Sequence, residues 1–440
     1  MRENSARWLK AGDPDAVSSS VATRFAQVFD REAAGVWFAP GRANLNGEHI
    51  DFHGGRCLPM AVRHGTYAAA APREDGLLRL RTLEPNLDTG VVELDADGAS
   101  AEEPAPEWTR YVSGVRWAMQ QISDPSQLQL PSGFGADVLI RSTLPIGAGL
   151  SSSASLECAA ALAFTALGTE VGREYPDGDL TVGLSDELRA VLAQACMRAE
   201  VEAVGAGTGG LDQTASLRAA EGKLVSLDCR DFSVVRTDIS FLLRDYRFLA
   251  VDTGQPHALA ESEFGARREE SEAAAAALGV QQLRDALPEK PRKADVERAL
   301  ARFDEAVGAA DLGQKDPQAC RRRLKHALGE MMRSEKIHAL LNGDAHGVDH
   351  TVEMIGEVMT SGHLSMREDA EVSFPLADQV VDAVLGAGAL GARLIGGGFG
   401  GSVLVLCPKD ATEQVTAAAA RLSGGIRFLS VQPSAAARVV

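Results

Sequence analysis

A chain of mixed helices and strands, long enough for two domains or one large one, is what this sequence predicts, and three observations carry that expectation. Its 440 residues leave ample length to bury a core. Short runs rich in β-branched and aromatic residues are interspersed with longer segments of helical apolar spacing. Charged residues at 24% and hydrophobic residues at 45% are the proportions of an ordinary globular protein.

Residues 1–35 are polar with spaced apolar positions at Val21, Phe25, Val28 and Phe29, which predicts one or two surface helices. Val36-Trp37-Phe38-Ala39 reads as a short strand ending at Pro40-Gly41. In the loop that follows, Glu48, His49 and Asp51 can accept hydrogen bonds from hydroxyls, as a sugar-binding loop must. A solvated charged loop is the alternative. Strands are expected at 58–62, 67–71, 77–82 and near 91–94, then an acidic, Pro-containing loop over 95–108. An amphipathic helix over 111–122 places Val112, Val115, Met119 and Ile122 on one face.

The central stretch is Leu144-Pro145-Ile146-Gly147-Ala148-Gly149-Leu150-Ser151-Ser152-Ser153-Ala154-Ser155. It joins an expected strand at 136–144 to an expected, almost wholly apolar helix at 154–167. Gly147 and Gly149 let the backbone turn its N–H groups inward, and the helix N-terminus that follows favours an anion such as phosphate. Ser151, Ser152 and Ser153 add hydroxyls able to bond phosphate oxygens or a Mg²⁺ ion. No Gly-Lys-Ser/Thr follows, so this is not a Walker loop. An ordinary glycine turn with a serine cap is the alternative.

A helix at 187–202 precedes the cluster Gly205-Ala206-Gly207-Thr208-Gly209-Gly210, after which Asp212 opens a short element as a helix cap or a chemical group. Strands are expected at 224–227 and 248–252, with a boundary near 220 dividing domains 1–220 and 221–440. Helices follow at 261–286, within 290–315, and at 320–342, where Arg321, Arg322, Arg323, Lys325 and His326 read as a solvated face. His346 and His350 have the spacing of metal ligands on one helical face, but no HExxH or third ligand accompanies them. The run Gly396-Gly397-Gly398-Phe399-Gly400-Gly401 before a strand at 402–407 implies a tight turn or a close backbone approach.

Together these stretches resemble the GHMP small-molecule kinases, and galactokinases in particular. Pro40-Gly41-Arg42-Ala43-Asn44-Leu45-Asn46-Gly47-Glu48-His49-Ile50-Asp51-Phe52 is similar to the galactokinase signature, Leu150-Ser151-Ser152-Ser153-Ala154 to the ATP phosphate loop, and Gly396 to Gly401 to the third motif. The likeness runs from about Val36 through Glu263-Phe264-Gly265-Ala266-Arg267-Arg268 and His363-Leu364-Ser365-Met366-Arg367. It implies an α+β, two-domain GHMP-kinase fold with the active site in the inter-domain cleft. It implies ATP- and Mg²⁺-dependent phosphorylation of the anomeric hydroxyl of galactose, giving galactose 1-phosphate and ADP.

The resemblance makes Asp212 the catalytic carboxylate and places Arg42 by the transferring phosphoryl group. It puts Glu48, His49, Asp51, Gly209 and Phe264 at sugar-contact positions, Gly147, Gly149, Leu150, Ser151, Ser152, Ser153 and Ala154 at ATP, and Ser153 and Glu200 at Mg²⁺. The chain departs from the family pattern at Asn46, usually apolar, at Phe52, usually Tyr, at His53, often Asn, at Phe264, a Tyr position, and at Ile395, a Thr position. Part of the signature also resembles N-acetylgalactosamine kinases. Non-catalytic sugar sensors of the family lack part of the phosphate-loop serine–alanine segment, whereas Ser153-Ala154 is present here.

The formal charge of −17 argues against nucleic-acid and anionic-membrane partners. The six cysteines form no CxxC pair and are expected as buried free thiols. Met1 to Lys10 has the charge and short apolar content of neither a signal peptide nor a membrane span, so a cytoplasmic monomer acting on small molecules is expected.

Overall fold

The structure, a computed structural model, describes residues 6–95, 105–123, 128–174, 184–255, 260–308, 310–343 and 347–440. His346 and most of the acidic 95–108 loop lie outside the described residues. The strands are β1 (Gly35–Asn44), β2 (Arg56–Cys57), β3 (Pro59–Arg73), β4 (Leu78–Thr82), β5 (Val92–Leu94), β6 (Gly135–Ser142), β7 (Lys223–Asp228) and β8 (Ser233–Asp238). They continue with β9 (Tyr246–Asp252), β10 (Gly391–Ile395), β11 (Ser402–Pro408), β12 (Arg427–Val431) and β13 (Arg438–Val439).

These strands form a six-stranded sheet in the order β13-β1-β3-β6-β4-β5, a four-stranded sheet β10-β11-β9-β12 and a three-stranded sheet β2-β7-β8. The architecture is α+β. One face of the large sheet packs on the Trp108–Gln120, Ser152–Gly168 and Asp186–Arg198 helices. Its other face is covered by the Pro14–Phe29 helix, whose Val21, Phe25 and Phe29 meet Phe38, Tyr67 and Leu139. The four-stranded sheet buries Leu249, Val251, Val403 and Val405 against the Pro375–Gly386 and Thr412–Ala420 helices. Its opposite face meets the Val348–Glu368 helix through Val352, Ile355 and Met359. The C-terminal β13 returns to pair with β1, crossing the divide expected near 220. No helix among the described residues is long and apolar enough to cross a membrane.

Several boundaries differ from the sequence expectation. β1 does not stop at Pro40-Gly41; it passes through an irregularity between Pro40 and Arg42 and regains pairing with β3 at Arg42, Ala43 and Asn44. The expected strands at 58–62 and 67–71 are one strand, which carries on through the irregularity with Gly65 and Thr66 opposite Pro40 and Ala39. The expected helix at 261–286 ends at Ala277, where Gly279 takes φ 69° and the Val280 N–H donates to the Ala275 carbonyl at 3.1 Å, a left-handed C-terminal cap. Strands β8, β10 and β12 lacked a clean period and were not expected.

The charge run at the start of the Pro317–Asn342 helix is not a solvated face. Arg323 and His326 are buried, with Arg323 bonded to Glu270 and Glu371 and His326 to the Glu48 carbonyl and the Ser365 hydroxyl. Helical periodicity turns those two residues inward while Arg321 and Arg322 stay at the surface.

Candidate active site

The phosphate-loop stretch forms a loop from β6 into the Ser152–Gly168 helix, with positive φ at Gly147, Gly149 and Ser151. The first helical hydrogen bond of that segment is Ser155 N–H to the Ser151 carbonyl at 3.1 Å. The N–H groups of Ser152, Ser153 and Ala154 therefore precede it, at the positive end of the helix dipole. Ser151 is the N-cap residue by position, yet its hydroxyl makes no cap. It donates to Asp212 Oδ2 at 2.5 Å, so it is turned toward the carboxylate. Leu150 and Ala154 are buried, and their side chains belong to the interior.

Asp212 is the second residue of the Leu211–Arg218 helix, whose N-cap is Gly210, so it does not cap the helix. Its carboxylate is clamped by Arg42, with Nε to Oδ1 at 2.8 Å and Nη2 to Oδ2 at 3.1 Å. The third arm of the fork, Nη1, donates to the Gly149 carbonyl at 2.7 Å. One guanidinium thus locks the carboxylate and the phosphate loop together in the bidentate geometry arginine favours.

The signature residues line the same cleft of about 620 Å³. Asp51 accepts from the Gly209 N–H at 3.0 Å. A Cβ on residue 209 would lie 2.5 Å from Asp51 Oδ2, so only glycine permits that approach. Burial, followed by the nearby Asp212, pushes the Asp51 carboxyl up to about 6. Glu48 accepts from Asn44 Nδ2 at 2.9 Å, Arg393 Nη2 at 3.2 Å and the Gly396 N–H at 3.2 Å. A carboxylate has about four acceptor sites, so roughly one remains for a ligand. Burial raises Glu48 to about 7 despite the Arg393 charge. His49 bonds the Gly397 carbonyl through Nε2 at 3.1 Å, and burial lowers it to about 4, so the ring is neutral and Nε2–H is the donor. Its ring lies 4.9 Å from that of Phe264.

The glycine run at 396–401 connects β10 to β11 and backs the other two motifs. Besides the contacts to Glu48 and His49, the Ser402 hydroxyl donates to the Ala148 carbonyl at 2.7 Å. Beneath the signature, Arg393 is fully buried between Glu330 Oε1 at 2.6 Å and Glu48, and also bonds Asn46 Oδ1. Against the opposing effect of burial, the Arg393 and Arg333 charges hold Glu330 well below the usual carboxyl range. Asn46, polar where the family pattern is apolar, also bonds the Ser334 hydroxyl at 2.8 Å. The departure at position 46 is thereby satisfied.

Glu200 sits in the π-helical turn Ala199–Val204 and hydrogen-bonds Ser153. Both face the cleft and both offer hard oxygen, the donor type Mg²⁺ takes. Among the described residues, no group of three or more His, Cys, Asp and Glu could hold a metal ion, so a cation here would draw its other ligands from substrate phosphates and water.

Beside Ser152 and Ser153 lies a second cavity of about 170 Å³, walled by Leu87, Trp108, Tyr111, Ile146 and Leu156. Sequence reasoning missed it. Ile146, 54% exposed, and Leu87, 37% exposed, are the uncompensated apolar residues that mark such a site. It also missed Glu157, a lone carboxyl on an apolar helix four residues after Ser153, pushed well above the usual range by burial and by Glu200.

Residues 23–72 match the galactokinase galactose-binding signature, 110–219 the GHMP kinase N-terminal domain and 337–424 the GHMP kinase C-terminal domain. The chain is 39% identical over 431 residues to a galactokinase of Streptomyces coelicolor, covering 96% of this chain and 99% of that protein. It is 34% identical to human galactokinase, covering 88% and 87% of the two chains. The crystal structure of Lactococcus lactis galactokinase complexed with galactose superposes with a TM-score of 0.77 at 27% identity, covering 96% and 100% of the two chains.

Proposed function

Because the chain belongs to the galactokinase family, we propose that its cleft transfers the γ-phosphoryl group of ATP to the anomeric hydroxyl of galactose, giving galactose 1-phosphate and ADP. The observation that carries this reading is the Arg42 fork, which joins Asp212 to the phosphate loop at the point where signature and helix N-terminus meet. Phosphoryl transfer proceeds through a loose transition state, so alignment and charge stabilisation do most of the work.

On this reading the apolar cavity by Trp108 and Tyr111 takes the nucleotide base, and the open N–H groups of Ser152, Ser153 and Ala154 take its phosphates. Galactose hydroxyls bond Glu48, His49 and Asp51, with Gly209 and Phe264 closing the pocket. The anomeric hydroxyl donates to Asp212, which orients it and takes its proton as the new bond forms. Arg42 stabilises the charge that develops on the attacking oxygen and the moving phosphoryl group. Ser153 and Glu200 would hold Mg²⁺, which neutralises phosphate charge. All these groups come from one chain, so a monomer suffices. Six buried free thiols suit the cytoplasm.

A coupled ADP-release assay over a panel of free sugars tests the substrate. Galactose should be preferred over glucose by at least ~100-fold in kcat/KM, because a site built on hydroxyl contacts penalises an analogue that leaves them unpaired. Phosphorus NMR should place the new phosphate on the anomeric oxygen. A 6-phosphate product, or preference for an N-acetylated sugar, would overturn the assignment. Phe264→Tyr should lower KM for galactose or leave it unchanged, since it adds a hydroxyl at the pocket wall; a raised KM would remove Phe264 from the sugar pocket's polar side.

Glu200→Gln should raise the Mg²⁺ concentration needed for half-maximal rate, because a charged oxygen ligand becomes neutral. An unchanged requirement would leave Glu200 as part of the helix packing only.

A further inference from the structure

Two fully buried polar side chains lie behind Glu200 and have no part in the transfer described above: Gln213 and Glu157. The Gln213 amide nitrogen donates to Glu200 Oε2 at 2.6 Å and to Glu157 Oε2 at 2.9 Å. In this orientation both of its protons are used, one on each carboxyl group. Three elements are tied by this one side chain. Glu157 follows Ser153 by four residues on the Ser152–Gly168 helix, Glu200 lies in the π-helical turn, and Gln213 adjoins Asp212.

We propose that Gln213, braced by Glu157, is a positioning pair that sets the Glu200 carboxylate for a divalent cation. The inference rests on the reading in which Ser153 and Glu200 hold that ion. A glutamate side chain on a π turn has several rotamers, and a π turn is a common device at functional sites. Pinning Oε2 from behind restricts rotation of the carboxylate and leaves its cleft side for the Ser153 hydroxyl and a cation. Carboxylate metal ligands are ordinarily held by such outer hydrogen bonds, whose loss lowers metal affinity or activity by about 10–100-fold. Glu157 braces Gln213 in turn, because without it the amide has one acceptor instead of two.

The test measures Mn²⁺ binding to the enzyme–ADP complex by electron paramagnetic resonance, in parallel with metal-free ADP affinity and KM for galactose. Glu157→Met should weaken Mn²⁺ binding by about 10-fold or more, with metal-free ADP affinity and galactose KM unchanged. Glu157→Gln keeps an acceptor oxygen for Gln213 and should restore Mn²⁺ affinity to within about threefold of the parent. Should Glu157→Met fail to fold, Gln213→Met removes the same link from the other side and carries the same expectation. Mn²⁺ affinity that falls in Glu200→Gln but holds in Glu157→Met and Gln213→Met would overturn the positioning role and leave the metal reading standing. Mn²⁺ affinity unchanged in Glu200→Gln would overturn both.

Discussion

Asp212→Asn is expected to lower kcat by on the order of 10²-fold or more, with folding and ADP affinity close to the parent's. The substitution keeps shape and removes a charge. Asn can still accept one N–H from Arg42, but its amide nitrogen would face either a second guanidinium proton or the Ser151 hydroxyl where Oδ2 now accepts both. The sugar hydroxyl would then lose the group that takes its proton as the phosphoryl group arrives. On the proposed reading the phosphate loop and the apolar cavity hold the nucleotide, so its affinity should persist in a calorimetric titration. A rate close to the parent's would reduce Asp212 to a structural counter-ion for Arg42.

Arg393→Met is expected to destabilise the protein by about 3–5 kcal/mol, the cost of leaving buried carboxylates without their cation. Arg393 is fully buried and is the strongest neighbouring charge for both Glu48 and Glu330. Its loss leaves Glu330 with Arg333 at 2.8 Å and the Gly47 N–H at 2.9 Å, and takes from Glu48 one of its three donors. The midpoint of urea unfolding should fall, and KM for galactose should rise in whatever protein remains folded, because Glu48 loses its setting. Arg393→Lys should recover only part of both, since an ammonium cannot reproduce the fork that reaches Asn46, Glu48 and Glu330 together. An unchanged unfolding midpoint in Arg393→Met would show that the buried pairs contribute nothing net.

Much of the candidate site was legible because the residues that form it are local in the chain. The phosphate loop needs glycines, hydroxyls and a helix start within a dozen residues, and all three lie in one stretch around Gly147 to Ser153. The signature likewise packs Arg42, Glu48, His49 and Asp51 into ten residues. The long strands β6 and β9 and the Ser152–Gly168 helix were legible too, since their composition and their burial agree.

What only the tertiary structure decided is which partner each side chain meets across the fold. Asp212 at a helix start reads as a cap until Arg42, 170 residues away, is seen to hold it. A serine in the phosphate loop reads as a phosphate donor until Ser151 is seen turned to that same carboxylate. The basic run at 321–326 reads as solvated until the packing turns Arg323 and His326 inward. Charge and hydrogen-bonding capacity are written in the residue type, but desolvation and partner choice depend on what the chain folds against it. The sequence by itself therefore determined the kind of chemistry and the family that performs it. The fold determined which oxygen is clamped, which carboxyl is raised by burial and which amide stands behind the Glu200 carboxylate, because each of these is a contact between segments far apart in the chain.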